Sequence, residues 1–206
     1  MKYSYSVAQH TFFVSLPDGR ESWIEDLAQC YAPFLQSGQH ESPVLFELSA
    51  ELGDIVTPSS PYQHVASVQP TDLAFEVWRH EKGDYAIIVS DDEGTSKSLI
   101  YADASFRKAS VVISRDTTKP SVLLNNAIML CYAFAGAYEQ TLLVHASVPQ
   151  IGMTAFLFQG LSGTGKSTHS QLWRTHIPQV ELLNDDNPVV RKIGRASCRE
   201  RVFRAV

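Results

Sequence analysis

One stretch of the chain decides how its second half is interpreted: AFLFQGLSGTGKSTHSQLW, residues 155–173. An apolar run, Ala155–Phe158, comes first and is typical of a buried strand. A glycine-rich loop, Gly160–Ser167, follows and fits the pattern G-x-x-x-x-G-K-[ST] at every position. The segment Lys166–His176 then favours a helix. A strand, a loop of this kind and a helix in this order form a P-loop, the arrangement that cradles phosphate groups.

Each residue type in the loop has a chemical role toward a nucleotide. Glycines allow the backbone N–H groups to approach phosphate oxygens without interference from Cβ atoms. Lys166 can reach the β- and γ-phosphates as a compact positive charge, and the Ser167 hydroxyl can coordinate Mg²⁺. The pattern therefore predicts that ATP and Mg²⁺ are bound by the residues Gly160, Leu161, Ser162, Gly163, Thr164, Gly165, Lys166, Ser167 and Thr168.

Two adjacent carboxylates, Asp185 and Asp186, follow the strand predicted at Val180–Leu183. Phosphoryl transfer needs one carboxylate for the metal and often another to accept the proton of the attacking hydroxyl. In a parallel sheet, the carboxyl end of this strand would lie at the same edge as the glycine loop. The alternative interpretation is a solvated acidic turn, which is what an Asp–Asp pair by itself usually indicates.

A histidine, His145, lies in the strand predicted at Leu142–Val148, fifteen residues before Gly160. A turn at Pro149–Gly152 would make a hairpin with the strand Met153–Gln159 and place His145 near Phe156, within reach of the surroundings of a bound triphosphate. A lone histidine in a strand is more often structural than catalytic, so both roles remain open at this point.

The chain before Pro120 has the short alternating runs and turn residues of a β-sheet. A segment with helical spacing, Glu21–Tyr31, interrupts these runs. The sequence predicts a β-rich domain over residues 1–118 and a P-loop α/β core over residues 119–192. The eight predicted strands of the first domain are Ser4–Val7, Thr11–Leu16, Pro43–Leu48, Gln63–Val68, Leu73–Trp78, Tyr85–Ser90, Ser98–Tyr101 and Ala109–Ser114.

A stretch without charged residues, Ser121–Tyr138, begins the second part. It is nearly long and apolar enough to span a membrane. The adjacent Asn125 and Asn126 would be costly in lipid, whereas a helix with small residues on one face suits a protein interior. The sequence therefore favours a buried core helix here.

The composition excludes several classes of protein. The 206 residues are 44% hydrophobic and 19% charged, which argues against disorder. The net charge of −5 predicts neither nucleic acid nor a membrane as a partner. Cys30, Cys131 and Cys198 lack the spacing of a disulfide framework or a zinc site. The N-terminus resembles no signal peptide, so we expect a cytoplasmic protein, and the sequence leaves open whether it forms a homo-oligomer.

The last fourteen residues, 193–206, contain four arginines and no hydrophobic period. A basic tail for an acidic partner and a structureless end are two interpretations. The favoured one is that residues 193–202 are the translation of a common sequencing adapter, which they match codon by codon. We then expect the chain to be a C-terminally truncated and inactive fragment that is native up to about Lys192. That part has a net charge of −8, because the tail holds four of the 17 basic residues and one of the 22 acidic ones.

Together these residues resemble the superfamily of P-loop kinases that contains HPr kinases and phosphoenolpyruvate carboxykinases, and within it an HPr-kinase-like bacterial group. The resemblance covers Leu142 to about Val190, with Ala146 standing where HPr kinases have glycine. It implies an active-site role for His145 near the phosphates, Lys166 on the phosphates and Ser167 on Mg²⁺. It also implies Asp186 as the proton acceptor and Asp185 as a ligand that assists the metal. The implied fold class is α+β, with a β-rich N-terminal half followed by a truncated P-loop α/β kinase core of the HPr kinase/carboxykinase type.

Three functional hypotheses follow from the sequence. The leading one is a phosphotransferase that uses ATP and Mg²⁺ to phosphorylate a hydroxyl of a protein or a small molecule. The second is a non-catalytic ATP-binding regulatory protein, which would not need the second carboxylate, Asp186. The third, a carboxykinase acting on oxaloacetate, lacks support because no cluster of arginines for such a substrate precedes Lys192.

Overall fold

The computed structural model describes residues 1–37, 43–69, 73–91, 94–192 and 203–205. These residues contain fifteen β-strands, four α-helices and one turn of 3-10 helix. The chain divides into two compact units, Met1–Ala135 and Gly136–Val206. All of the candidate site residues lie in the second unit.

The first unit is built on one large sheet. Its elements are β1 (Lys2–Val7), β2 (His10–Ser15), α1 (Ser22–Glu25), α2 (Ala28–Tyr31), a 3-10 turn (Ala32–Phe34), β3 (Val44–Gly53), β4 (Tyr62–Val68), β5 (Leu73–His80), β6 (Tyr85–Asp91), β7 (Lys97–Ala102), β8 (Lys108–Ser114) and α3 (Pro120–Tyr138), which crosses into the second unit. The eight strands pair in the order β1-β2-β3-β8-β7-β6-β5-β4. The pairs β2–β3 and β3–β8 are parallel, and the other pairs are antiparallel.

Every strand that the sequence predicts in this unit is confirmed, because the alternating burial of side chains is a local property that a short window reveals. The predicted helix Glu21–Tyr31 is instead divided into α1 and α2. The break comes at Leu27, whose backbone leaves helical geometry and whose side chain is buried.

Helix α3 is the longest apolar element in the core of the first unit. Among the described residues it is the one helix long and apolar enough to cross a membrane, and half of its most apolar window is buried. Its Tyr132 ring meets Phe12 at 5.9 Å edge to face, and the Tyr132 hydroxyl donates to the Val7 carbonyl at 3.1 Å. Leu124 and Ile128, on the same helix, are almost fully buried.

The second unit contains two small sheets, and the larger of them is built around one central strand. Its elements are β9 (Thr141–Leu143), β10 (Ala146–Ile151), β11 (Thr154–Ala155), β12 (Phe158–Gln159), α4 (Lys166–His176), β13 (Val180–Asn184), β14 (Val189–Lys192) and β15 (Phe203–Ala205). Strands β11 and β12 follow each other along one side of β10, and β13 lies along the other side. Strand β14 pairs with both β9 and β15.

The expected fold class is wrong. The chain has a β-rich fold, and in the described part of the second unit every strand pair is antiparallel, so there is no parallel P-loop α/β kinase core. Parallel neighbours need a long crossover, usually a helix, between them. Strands β10, β11 and β12 are joined by short connections, which makes β11 and β12 antiparallel to β10. Strand β13 follows after α4 and also pairs antiparallel with β10, so the central strand runs opposite to all of its neighbours.

Two further differences concern the ends of strands. The turn expected at Pro149–Gly152 lies instead at Gly152 and Met153, while Pro149 is inside β10 at a shift in register with β13. A proline at such an irregularity loses no ladder bond. Phe203–Ala205 form β15, which differs from the interpretation of the tail as a structureless end, whereas the adapter match at residues 193–202 lies outside the described residues.

Candidate functional site

The glycine loop connects β12 to α4, as the sequence predicts. Gly165 is the residue before the first turn of α4 and has φ of +87°, and Gly163 has φ of +79°. Both lie in the left-handed region that glycine adopts without strain. A Cβ atom on Gly160 would lie 2.8 Å from the Thr164 hydroxyl oxygen, so the loop is also closely packed at its start.

The Lys166 ammonium group folds back across this loop. Its Nζ atom donates hydrogen bonds to the carbonyl oxygens of Gly160 at 3.0 Å and Leu161 at 3.1 Å. The neighbouring Ser167, in the first turn of α4, is exposed. A cation and a hydroxyl at the N-terminus of this helix suit a phosphate group, because the helix dipole and the unpaired N–H groups there also favour an anion.

Aromatic side chains hold α4 against the strands that carry the loop. The Trp173 ring lies 5.1 Å from the ring of Phe156 and 5.1 Å from that of Phe158. The His169 ring packs on Phe158 as well, at 4.6 Å. The helix is therefore packed on the first residue of β12 and on the segment that joins β11 to β12.

The acidic residues form a compact turn after β13. The Asn184 side-chain oxygen accepts a hydrogen bond from the Asp186 backbone N–H at 2.9 Å. The Asn187 amide in turn donates to the Asp186 carboxylate at 2.7 Å. Asp185 and Asp186 are both exposed, so their carboxylates are accessible from solvent.

His145 lies directly opposite this turn, in the interruption between β9 and β10. The backbone N–H groups of Val144 and Ala146 donate to the carbonyls of Pro188 at 3.1 Å and Asp186 at 3.0 Å. These bonds place His145 Nδ1 3.4 Å from an Asp186 carboxylate oxygen. Both side chains are more than half exposed, at 52% and 73%.

The antiparallel arrangement brings these separate segments to one edge of the sheet. Gln159, the last residue of β12, pairs with Ala146, and Asn184, the last residue of β13, pairs with Val148. Because both strands run opposite to β10, their carboxyl ends meet where β10 begins. The glycine loop, the acidic turn and His145 therefore follow or precede strands at the same edge.

A chain of hydroxyl groups connects the acidic turn to α4. The Ser147 hydroxyl donates to the Asp185 carboxylate and also contacts the Ser170 hydroxyl. The side chains of Ser147 and Ser170 are fully buried. Sequence reasoning did not single out these two serines. The available signals were a serine within an apolar strand and a serine three residues after Ser167, on the same face of the helix.

The side chains at this edge fit a magnesium ion that arrives with a nucleotide. No three His, Cys, Asp or Glu side chains converge on a metal position within the described ranges. Mg²⁺ does not require such a cluster, because it usually takes one or two carboxylates, waters and phosphate oxygens. The exposed Asp185 carboxylate and Ser167 hydroxyl are hard oxygen donors of the required type.

Comparison of the chain with protein-family models, with curated proteins and with solved structures finds no match.

Proposed function

We propose that the protein is an ATP- and Mg²⁺-dependent phosphotransferase that phosphorylates a hydroxyl group of a protein or a small molecule. The observation that carries the proposal is the meeting of a complete P-loop and an Asp–Asp turn at one edge of the sheet. The HPr-kinase-like resemblance of the same residues supports the same activity. The loop would bind the phosphates, and the acidic turn would serve the metal and the acceptor hydroxyl.

The proposed reaction assigns one task to each side chain. Lys166 leaves the two loop carbonyls and binds the β- and γ-phosphate oxygens. Asp186 accepts the proton of the acceptor hydroxyl as its oxygen attacks the γ-phosphorus, and the bond to the bridging oxygen breaks to release ADP. His145 lies beside Asp186 and orients that carboxylate. When bound, Mg²⁺ neutralises charge on the phosphates, with Ser167 and Asp185 as its protein ligands.

Nucleotide binding is tested by thermal unfolding of the 206-residue chain with Mg²⁺ and ATP. A ligand at 100 times its Kd stabilises the folded form by about 2.7 kcal/mol, which raises the melting temperature measurably. Lys166→Ala should abolish this rise because the phosphates lose their cation. Lys82→Ala is the matched control, since it removes the same charge from the first unit. An equal rise for Lys166→Ala and the wild type would refute nucleotide binding by the loop.

Catalysis is separated from mere binding by Asp186→Asn. The variant should bind Mg²⁺ and ATP as the wild type does, yet release ADP about 100-fold to 10,000-fold more slowly, as expected for loss of a general base. The assay uses protein expressed from an independently sequenced gene, because residues 193–202 match a sequencing adapter. Wild-type turnover by Asp186→Asn would disprove the base assignment. Binding without turnover in the wild type would favour the regulatory protein.

A further inference from the structure

We propose that Ser147, supported by Ser170, is a positioning residue that fixes the Asp185 carboxylate for the metal ion of the bound nucleotide. This inference rests on the proposed function, because it concerns the metal ligand of that same site. It gives a role to two residues to which neither the loop pattern nor the family resemblance assigns one.

The first step is the location of the two hydroxyls. Ser147 lies in the central strand β10, Ser170 in the helix that follows the loop, and Asp185 in the acidic turn. Both serine side chains have no exposed surface. A buried hydroxyl requires a hydrogen-bond partner. Ser147 bonds to Asp185 and to Ser170, and the partner of Ser170 is Ser147.

The second step is the direction of the hydrogen bonds. An ionised carboxylate only accepts, so the single Ser147 proton is committed to Asp185. The contact between the two serines then requires Ser170 to donate to the Ser147 oxygen. The chain runs from Ser170 through Ser147 to Asp185, and each member sets the orientation of the next.

The third step is what this chain does to the carboxylate. The Ser147 hydroxyl donates a hydrogen bond to Oδ1 of Asp185, while the Asp185 side chain as a whole is exposed. An aspartate anchored by one oxygen presents its other oxygen in a fixed direction. A side chain that donates a hydrogen bond to a metal-binding carboxylate influences metal affinity without contacting the metal.

The fourth step is the connection to the second metal ligand of the proposed function. Ser167 and Ser170 are three residues apart in α4, so they lie on the same face of the helix. The hydroxyl chain therefore joins the helix face that carries Ser167 to the carboxylate of Asp185. It couples the position of the phosphate-binding helix to the position of the acidic turn.

The test measures Mn²⁺ binding in the presence of ADP by electron paramagnetic resonance, with Mn²⁺ as the probe for Mg²⁺. Ser147→Ala should weaken Mn²⁺ binding about 10-fold or more, as expected for loss of a group that orients a ligand. Binding of ADP alone, measured in EDTA by calorimetry, should be unchanged. Ser147→Ala combined with Asp185→Asn should bind Mn²⁺ no more weakly than Asp185→Asn alone, because Ser147 acts through Asp185.

Val148→Ala is the matched control, since it removes a fully buried side chain next to Ser147 in the same strand. It should leave Mn²⁺ and ADP binding unchanged in the folded protein. Wild-type Mn²⁺ affinity in Ser147→Ala, or equal losses of Mn²⁺ and ADP binding, would overturn the inference and leave nucleotide binding intact. Should Ser147→Ala not fold, Ser170→Ala decides by the same comparison, with a selective loss of Mn²⁺ binding expected. A wild-type protein that binds ADP neither with nor without Mn²⁺ would overturn the proposed function and this inference together.

Discussion

The Asp103 carboxylate organises the connection between β7 and β8. It accepts hydrogen bonds from the backbone N–H groups of Ser105, Arg107 and Lys108 at 2.9–3.1 Å, and from the Ser105 hydroxyl at 2.8 Å. Partial burial opposes ionisation, but these hydrogen bonds outweigh it and hold the pKa of Asp103 below its ordinary value. The ionised form is thus favoured more in the folded chain than in the unfolded one.

Asp103→Asn should make the first unit less stable at pH 7 by about 1–2 kcal/mol, since one carboxylate oxygen is replaced by a donor that faces N–H groups. A lowered pKa gives stability that is fully present above the unfolded value, about 3.9, and is lost as the pH falls through the folded value. The wild type should therefore lose more stability than Asp103→Asn below about pH 4. Urea unfolding followed by circular dichroism at pH 7, 5, 4 and 3 measures this difference.

The control for Asp103 is Asp116→Asn, which removes an exposed carboxylate in the same unit. It should change neither the stability at pH 7 nor its dependence on pH. Parallel pH curves for the wild type and Asp103→Asn would contradict the assignment of the pKa shift to the hydrogen bonds of this turn.

Single residues differ in how readily the sequence reveals their role. Gly160–Ser167 form one contiguous pattern, because the backbone itself binds the ligand and so requires glycine at fixed spacing. Ser147 and Ser170 are 23 residues apart and meet only through the packing of α4 on β10. No spacing rule connects a strand serine with a helix serine across a loop, so their pairing could not be predicted.

At the scale of elements, the position of α4 depends on the aromatic contacts of Trp173. Trp173→Ala removes the ring that packs on Phe156 and Phe158. The change should weaken the attachment of α4 by about 1–3 kcal/mol, less than for a fully buried tryptophan because Trp173 is only partly buried. Hydrogen exchange of the α4 amides, followed by mass spectrometry, should accelerate by about 5-fold to 150-fold, as this free energy requires.

Leu172→Ala is the matched control for Trp173, since Leu172 is the preceding residue of the same helix and is 50% exposed. Its α4 amides should exchange at close to the wild-type rate. Equal acceleration in the two variants would mean that intrinsic helix propensity, and not the aromatic contact, holds α4 in place.

The strands themselves were largely predictable, but their pairing in the second unit was not. The apolar runs around β10 and β12 are visible in any short window. Because proline usually interrupts a strand, Pro149 predicts a turn, yet the shift in register with β13 accommodates it within β10. The antiparallel partners of β10 depend on contacts with β13, about thirty residues further along the chain, and so the expected parallel sheet was wrong.

At the scale of the whole molecule, α3 determines where the first unit ends. The sequence predicts the boundary at residue 118, before this helix, because the apolar period changes there. The structure includes most of α3 in the first unit, where Leu123, Leu124 and Ile128 are almost fully buried. Burial of each such side chain contributes about 1.5–3 kcal/mol, so the three together are comparable with a typical net stability of about 5–15 kcal/mol.

We therefore expect a chain of residues 1–138 to unfold cooperatively in urea and a chain of residues 1–118 to show no cooperative transition. Burial, together with the nearby Asp103 charge, raises the pKa of the Cys131 thiol to about 12. The reactivity of Cys131 therefore reports whether α3 is packed in the core. In the 1–138 chain at pH 8, a thiol reagent should modify the exposed Cys30 at once and Cys131 only after unfolding. Urea removes this protection, so reaction of both thiols in urea is the control. A cooperative transition in the 1–118 chain, or rapid modification of Cys131 in the 1–138 chain, would show that the sheet folds without this helix.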